Sequence, residues 1–489
     1  MSKENRGRHS LNSCFHIPTF EKSVNGELDE QCNNKHMQLQ LQFHCPSTKY
    51  SCFVKILFVV FVFTLVGRPW VCLAQRPSNV FTIRSSIAYA LRHSTQVLAS
   101  KQEVVAARAN KKKLISEFLP KLSANYMYKR LDEERVSGTP PTVISPENFY
   151  QFSATLHQPI FSGFSSLTQY KISSLGHDVA RLLERQSRQG LILGVKKACF
   201  ELLQTEKLEK VAHQAVTQLK AHAKVAKNFY EVGMIPRNDL LKAEVELANA
   251  RQDLVVAENN VQLAMSRFNT LVKRPIDAPV SVEDVMAYEP FTRAYEECVE
   301  IAMRQRVEMR IADLEVEMAE KEVRLTRKDY YPSIDLRANY YKKGDSPKLE
   351  GGAGIPDSEE WDVVATASWD LWEWGKTHYG VKEKLSRLAQ ARLNRTEIAD
   401  NIRQQIKDAF LGVKEAENNI LAVRKAVEQA KENFRMSEER YKEQVATSTE
   451  VLDAQTLLTK TQTNHFNALS AFNISKAELD WAMGVEVAE

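Results

Sequence analysis

The stretch YKEQVATSTEVLDAQ, residues 441–455, interrupts a long helical pattern. Its run VATST is rich in β-branched residues, and threonine favours helix caps over helix interiors. A second stretch, YEVGMIPRNDLLKAE at 230–244, breaks another helical pattern more plainly with Gly233 and Pro236. The two opening tyrosines lie 211 residues apart. Both stretches therefore predict a turn between two helices, at equivalent places in two halves of the chain.

The same offset of 211 or 212 residues aligns other parts of the chain. FLPKLSANYMY, which contains Pro120, matches YYPSIDLRANYY, which contains Pro332. LHQPIFSG matches ASWDLWEWG and aligns Phe161 with Trp372. Self-similarity at a constant offset indicates a repeat, and we predict one tandem duplication of about 200 residues.

Two very long helices are predicted, one in each half. The segments 163–231 and 375–443 each span 69 residues without proline, so each helix would be about 100 Å long. From Ile402 to Phe434 the apolar residues follow alternating spacings of four and three, the heptad pattern of helices packed side by side. The opening helical pattern and the returning helix (85–118 and 240–272) together have nearly the length of one long helix. The turns then mark the far end of a helical cylinder.

Four runs of alternating polar and apolar residues predict strands at 122–130, 149–161, 334–341 and 362–372. Their lengths suit strands that cross an outer membrane at a tilt, and an ordinary soluble hairpin is equally compatible with the alternation.

The N-terminal part is predicted to be removed. The apolar run 56–66 has 11 residues, which is too short to span a bilayer and typical of a secretory signal. Cleavage after Ala74 would leave a chain that starts at Gln75. Five of the seven cysteines precede that point, and Cys199 and Cys298 remain without metal-ligand spacing. Cys199 is interpreted as a small core residue.

Composition argues against several functions. The net charge is only +4, and no element concentrates basic residues as a nucleic-acid binder would. No P-loop, GxSxG or HExxH motif is present, so we predict neither an enzyme nor a cofactor. The histidines lack metal spacing and are interpreted mostly as exposed helix or barrel-lumen residues: His93, His157, His177, His213, His222, His378 and His465.

The order of helix, strand pair, full-length helix, turn and half-length helix, present twice, resembles the TolC family of outer-membrane efflux channels. QPIFSG, WDLWEWG and the two turn stretches carry the resemblance, which covers 80–484. Asp370 stands in place of a proline, Gln444 in place of a glycine, and Ala446 in place of an arginine that the family often has. The arginine's absence puts an arginine latch at the closed end in doubt, and Arg237 is a nearby substitute.

The resemblance implies an α+β membrane protein: a trimeric 12-stranded transmembrane β-barrel, four strands per chain, continuous with a long periplasmic α-helical barrel. Four strands alone cannot close a barrel, and open edges are not tolerated in lipid. The implied function is a passive exit duct of a tripartite efflux pump or type I secretion system in the outer membrane of a Gram-negative bacterium. The implied partners are two further chains, outer-membrane lipid, a periplasmic adaptor protein and an inner-membrane transporter.

We predict four segments. Residues 1–74 form an N-terminal extension and signal peptide. Repeat 1 covers 80–272, with its long helix at 163–231 and its returning helix at 240–272. An inter-repeat linker or equatorial segment at 273–295 precedes repeat 2, which covers 296–484, with its long helix at 375–443 and its returning helix at 450–483.

Two other protein classes compete with the channel. A periplasmic adaptor also has long helical hairpins but lacks this duplicated strand-pair layout, and a purely structural coiled coil would not have the alternating aromatic strands.

The turns supply the candidate site residues. Glu450 and Asp453 share one helix face, and by resemblance each forms a lumen-facing acidic ring in a trimer; a first-turn acid and a solvated surface charge are the alternatives. Asn238 and Asp239 are predicted to cap a helix or to join a latch, with Tyr441 as a hydrogen-bond donor across it. The predicted adaptor contacts are Gly233, Met234, Ile235, Gln444, Val445 and Ala446, which could instead only pack the turns. Trp369, Trp372 and Trp374 are placed at the periplasmic rim of the barrel or as wedges between barrel and tube.

Overall fold

The computed structural model describes residues 80–486, and the predicted signal peptide lies outside the described residues. The described chain is mostly helical. Its helices are α1 (Ile83–His93), α2 (Thr95–Ser116), α3 (Ser165–Glu231), α4 (Arg237–Val272), α5 (Tyr295–Gln305), α6 (Val307–Thr326), α7 (Lys376–Lys442) and α8 (Ser448–Ala482), with a short 3-10 helix at Arg327–Tyr330.

The strands are β1 (Val80–Phe81), β2 (Lys121–Arg130), β3 (Arg135–Ser137), β4 (Thr142–Ser145), β5 (Asn148–Ser162), β6 (Ser281–Val282), β7 (Ser333–Gly344) and β8 (Glu359–Ser368). The main sheet is antiparallel, with strand order β2-β5-β7-β8. β1 pairs with β6, and β3 pairs with β4 inside the first connecting loop. The strand that was predicted to reach residue 372 ends at Ser368.

The main sheet has one apolar and one polar face, because its register aligns like residues across all four strands. One row contains Leu122, Leu156, Ala338 and Val363 in succession. The apolar face comprises Leu122, Ala124, Tyr126 and Tyr128 of β2, Phe152, Ala154 and Leu156 of β5, Ile334, Leu336, Ala338 and Tyr340 of β7, and Trp361, Val363 and Ala365 of β8. Much of this face is exposed in the single chain, with Leu122 at 73% and Trp361 at 72%.

The long helices α3 and α7 each contain 67 residues and are therefore about 100 Å long. The shorter helices α1 and α4 meet beside the middle of α3. There Ala90 of α1 and Phe268 of α4 pack in one core with Cys199 of α3. Beside the middle of α7, Ala302 of α5 and Phe472 of α8 share an equivalent core.

The opening helical pattern of each half is broken, whereas a continuous helix over 85–118 was predicted. The backbone is extended at Ser94, between α1 and α2, and at Arg306, between α5 and α6. Ser94 accepts a hydrogen bond from the amide of Val97 and so caps the second helix. Arg306 is buried and bonds Glu308, Gln405 and a backbone carbonyl of α8. Each break is thus fixed by one side chain.

Each strand pair passes into its long helix through two successive left-handed residues, Gly163 with Phe164 and Trp374 with Gly375. Gly163 is required there, because a Cβ would lie 2.5 Å from the carbonyl oxygen of Lys328. Three tryptophans in the connection from β8 to α7 are exposed in the single chain: Trp369, Trp372 and Trp374.

The linker between the halves is held against α7 by Glu417. This carboxylate accepts hydrogen bonds from the hydroxyl of Tyr288, the amide of Phe291 and the ammonium of Lys414. Burial alone would raise the pKa of Glu417, but these donors hold it below its ordinary value. The linker is therefore anchored rather than loose.

Cys199 and Cys298 are both fully buried. Burial raises the pKa of the Cys199 thiol to about 12, which fits the interpretation of a small core residue. Among the described helices, none combines enough length and apolar character to cross a membrane.

Candidate functional site at the helix turns

The turn that joins α3 to α4, residues 232–236, closes with two backbone hydrogen bonds. The amide of Met234 donates to the carbonyl of Phe229 at 2.8 Å, and the amide of Gly233 donates to Tyr230 at 3.0 Å. These bonds form a Schellman motif, which satisfies carbonyls that a helix end leaves free. The motif needs a left-handed residue, and Gly233 adopts φ +77° without a Cβ clash.

The turn that joins α7 to α8, residues 443–447, has the same motif without a glycine. The amide of Val445 donates to Arg440 at 2.8 Å, and the amide of Gln444 donates to Tyr441 at 3.0 Å. Gln444 takes the left-handed position with φ +62°. The departure from glycine in the sequence therefore does not change the turn, although it places a side chain in a strained backbone conformation.

Helix α8 begins with a capping box. Thr447 accepts from the amide of Glu450 at 3.3 Å, and Glu450 accepts from the amide of Thr447 at 3.3 Å. Glu450 also lies 3.7 Å from the guanidinium of Arg440. Asp453, one turn later, is exposed and has no hydrogen bond or ion pair within residues 80–486. The two carboxylates share a helix face, and only Glu450 takes part in the start of the helix.

A buried cluster behind the turns joins three helices. The ring of His222 on α3 hydrogen-bonds Ser448 on α8 at 2.9 Å, and its centroid lies 4.8 Å from that of Tyr441 on α7. His222 is 7% exposed and Tyr441 4%. Burial lowers the pKa of His222 from its ordinary 6.5, and Glu438 partly opposes this. The prediction of mostly exposed histidines is therefore wrong for His222, because a lone histidine in a helical pattern does not reveal which face it occupies.

The predicted latch residues are not brought together as hydrogen-bonded partners. The hydroxyl of Tyr441 is buried without a hydrogen-bond partner among the described residues, so it is not a donor across the turn here. Burial raises its pKa, and nearby Asp239 raises it further. Neither Asn238 nor Asp239 caps α4, because the capping residue is Pro236 and no side chain bonds the first turn. Asp239 instead lies in that first turn, where the helix dipole favours an acid.

The predicted adaptor contacts divide into two groups. Met234 and Val445 point outward, 56% and 67% exposed. Ile235 packs against the α3–α4 core, and Ala446 packs against a core formed at the end of α7 and the start of α8. Gln444 is exposed and reaches toward the first turn. The outward apolar side chains form a small surface at the end of the helices, which we name the tip surface (Met234 and Val445).

Within the part of the chain that the structure describes, no group of three or more His, Cys, Asp or Glu residues lies close enough to hold a metal ion. The chemistry that the turns offer is therefore apolar contact at the tip surface and carboxylate charge at Glu450 and Asp453.

Comparison with known proteins places these features in context. The family model "Outer membrane efflux protein" matches residues 87–272 and 299–485. The outer membrane protein TolC of Vibrio cholerae serotype O1 is 22% identical over 337 residues, which is 66% of this chain and 75% of that protein.

Solved structures of similar fold include outer-membrane channels. The outer membrane protein VceC of Vibrio cholerae has a TM-score of 0.70 at 16% identity, over 82% of this chain and 96% of that one. The outer membrane channel CmeC of Campylobacter jejuni has a TM-score of 0.72 at 15% identity, over 83% of this chain and 86% of that one. At such identities the likeness is one of fold.

Proposed function

The chain belongs to the outer membrane efflux protein family, and we propose that it is a passive exit duct across the outer membrane for a tripartite efflux pump or a type I secretion system. The match confirms the resemblance noted in the sequence. In this proposal a periplasmic adaptor and an inner-membrane transporter open the duct at the helix turns, and the transporter supplies the energy.

The observation that carries the proposal is the main sheet. Its apolar face is exposed, as a surface in contact with lipid would be, and its other face is polar, as the lining of a water-filled lumen would be. The strands contain 10, 15, 12 and 10 residues, enough to cross the hydrocarbon layer at a tilt.

The sheet also supports assembly of three copies. β2 and β8 each have a ladder partner on one side only among the described residues, and unpaired strand edges are not tolerated in lipid. Three copies would give a closed barrel of twelve strands, with β2 of one chain beside β8 of the next. A barrel of twelve strands is even-numbered and within the bacterial range.

The helices would continue this assembly into the periplasm. Each chain contributes two helices of 67 residues and two columns of stacked shorter helices, so three chains would build a tube of twelve columns about 100 Å long. The helix turns would lie at its far end, where the adaptor binds. The exposed tryptophans after β8 would lie at the periplasmic rim, since such side chains prefer membrane interfaces.

The alternative of a periplasmic adaptor receives no support from the comparisons, because the family model and the similar structures are outer-membrane proteins. A purely structural coiled coil does not account for a sheet with an exposed apolar face.

The test is the location and assembly of the protein in its own host. We expect the full-length product in the outer-membrane fraction, extracted by detergent as a trimer that dissociates only on heating in sodium dodecyl sulfate. A soluble periplasmic product, or an inner-membrane one, would contradict the proposal.

A further inference from the structure

Three basic side chains lie at one level of the polar face of the main sheet. In the strand register Lys121 of β2 lies opposite His157 of β5, and His157 lies opposite Arg337 of β7. Directly opposed residues in antiparallel strands project their side chains to the same face, about 5 Å apart. We name this row the basic belt (Lys121, His157 and Arg337).

Within residues 80–486, one ion pair involves the basic belt. Asp335, also on β7, lies 2.8 Å from Nε2 of His157. Lys121 and Arg337 are exposed, and neither makes an ion pair or a hydrogen bond within residues 80–486. The fourth strand adds no acid at this level, because Val364 lies opposite Arg337. Two cations in each chain therefore lack an ion-pair partner among the described residues.

Acidic residues of the polar face make contacts with other residues farther along the sheet. Glu360 of β8 pairs with Lys343, and Asp362 accepts a hydrogen bond from Asn339 at 2.7 Å. Neither carboxylate therefore pairs with Lys121 or Arg337, and Asp362 lies at the next level of the face, opposite Asn339. Lys121 and Arg337 both lie near the end of the sheet that joins the helices, since Lys121 is the first residue of β2 and follows α2.

We propose that the basic belt is an anion-binding site inside the duct and that it favours solutes carrying carboxylate, sulfonate or phosphate groups. This inference rests on the proposed function, because it needs the polar face to line the lumen and three copies to surround it. The guanidinium of Arg337 can bind such a group through two parallel hydrogen bonds, and Lys121 adds a point charge. Rings of basic side chains in narrow pores select anions.

The basic belt and the two carboxylates Glu450 and Asp453, which we name the acidic pair, lie at opposite ends of the helical tube. Glu450 and Asp453 follow the turn at the far end of α7, about 100 Å from the sheet. A solute that has passed the turns and the tube would meet charge of the opposite sign where the tube enters the barrel. The belt therefore gives the lumen a charge step that an entirely acidic duct would lack.

The experiment measures binding of the trisulfonated dye pyranine to the purified full-length protein in detergent, by fluorescence anisotropy at low ionic strength, where electrostatic attraction is least screened. We expect saturable binding that Lys121→Gln with Arg337→Gln weakens by about tenfold or more. The double variant Lys121→Arg with Arg337→Lys keeps both positive charges and should retain saturable binding of the dye.

Lys129→Gln is the matched control. It removes one positive charge, as Lys121→Gln does, from the same strand and face about 27 Å away, and should change the affinity by less than about twofold. Absence of saturable binding, an unchanged affinity in the double variant, or an equal loss with Lys129→Gln would overturn the belt. If the protein nevertheless forms a trimer in the outer membrane, such a result would contradict the basic belt alone and not the proposed function. A protein found outside the outer membrane would contradict the proposed function itself.

Discussion

The side-chain amide of Gln444 donates to the thioether sulfur of Met234 at 3.2 Å, so that the two helix turns touch across 210 residues of sequence. The contact joins the strained residue of the second turn to an exposed residue of the first. The end of the helical bundle is therefore one continuous surface rather than two separate loops.

The left-handed position of Gln444 gives a direct test of the turn geometry. Gln444→Gly should raise the free energy of unfolding by about 1 kcal/mol, because relief of the left-handed strain outweighs the loss of the weak amide contact to the Met234 sulfur. Gly233→Gln should lower it by a similar amount, since no atom lies within 4 Å of a Cβ at that position and only the backbone strain is added. Thermal midpoints of the helical circular-dichroism signal measure both. Equal midpoints for the two variants would contradict the assigned turn.

The buried cluster predicts a pH dependence. Burial holds the pKa of His222 below 6.5, so the unfolded chain takes up a proton at a higher pH than the folded protein. This contribution to stability is present above about pH 6.5 and is lost as the pH falls through the lower pKa of the folded state. The thermal midpoint should therefore drop on acidification.

His222→Gln can keep a hydrogen bond to Ser448 but cannot titrate, so its midpoint should fall less over the same pH range. His465, whose pKa is also lowered by burial, accounts for part of the remaining slope. An identical pH profile in wild type and variant would rule out a role for His222 in this dependence.

The tip surface should be needed for export and not for assembly. Met234→Lys and Val445→Lys place charges where exposed apolar groups mark a contact surface. We expect loss of efflux, measured as accumulation of a pump substrate in cells, with trimer and membrane location unchanged. Val285→Lys, at an exposed apolar site in the linker, is the control and should retain efflux. Loss of the trimer in the tip variants would favour a role in packing the turns.

The acidic pair should govern ion passage at the turns. Glu450→Gln with Asp453→Asn should weaken the preference for cations and the block by trivalent cations in single-channel recordings, because carboxylate rings attract such ions. Glutamine at position 450 retains a capping-box acceptor for the amide of Thr447, so the start of α8 is preserved. Unchanged selectivity and block would leave Glu450 as an ordinary capping residue.

Much of the architecture is visible in the sequence because helix-breaking residues are rare within the long helices and occur at a turn between helices. Proline is absent from the long helices, and Gly233 and Pro236 mark one turn between helices. The alternation that predicts strands also defines the two faces of the sheet, since side chains of successive strand residues point to opposite sides.

Other features depend on side-chain contacts that periodicity does not encode. The breaks at Ser94 and Arg306 each arise from one polar side chain that bonds locally or across to another helix. The burial of His222 depends on which neighbours its helix face meets. The basic belt required the register between strands, because Lys121 and Arg337 are 216 residues apart in the sequence.

The central claim is that three copies close the main sheet into one barrel through β2 and β8. Within one chain these edge strands are separated by two others, about 14 Å, which is too far for a disulfide. Asn125→Cys on β2 can be combined in turn with Asp362→Cys, Val364→Cys or Thr366→Cys on the same face of β8. The native cysteines Cys199 and Cys298 are buried.

The decisive measurement is interchain cross-linking of these pairs in the oxidising periplasmic compartment of intact cells, followed by electrophoresis after heating without reductant. The account predicts that at least one pair yields a covalent three-chain species that reverts to single chains on reduction. Only single chains from all three pairs would contradict it.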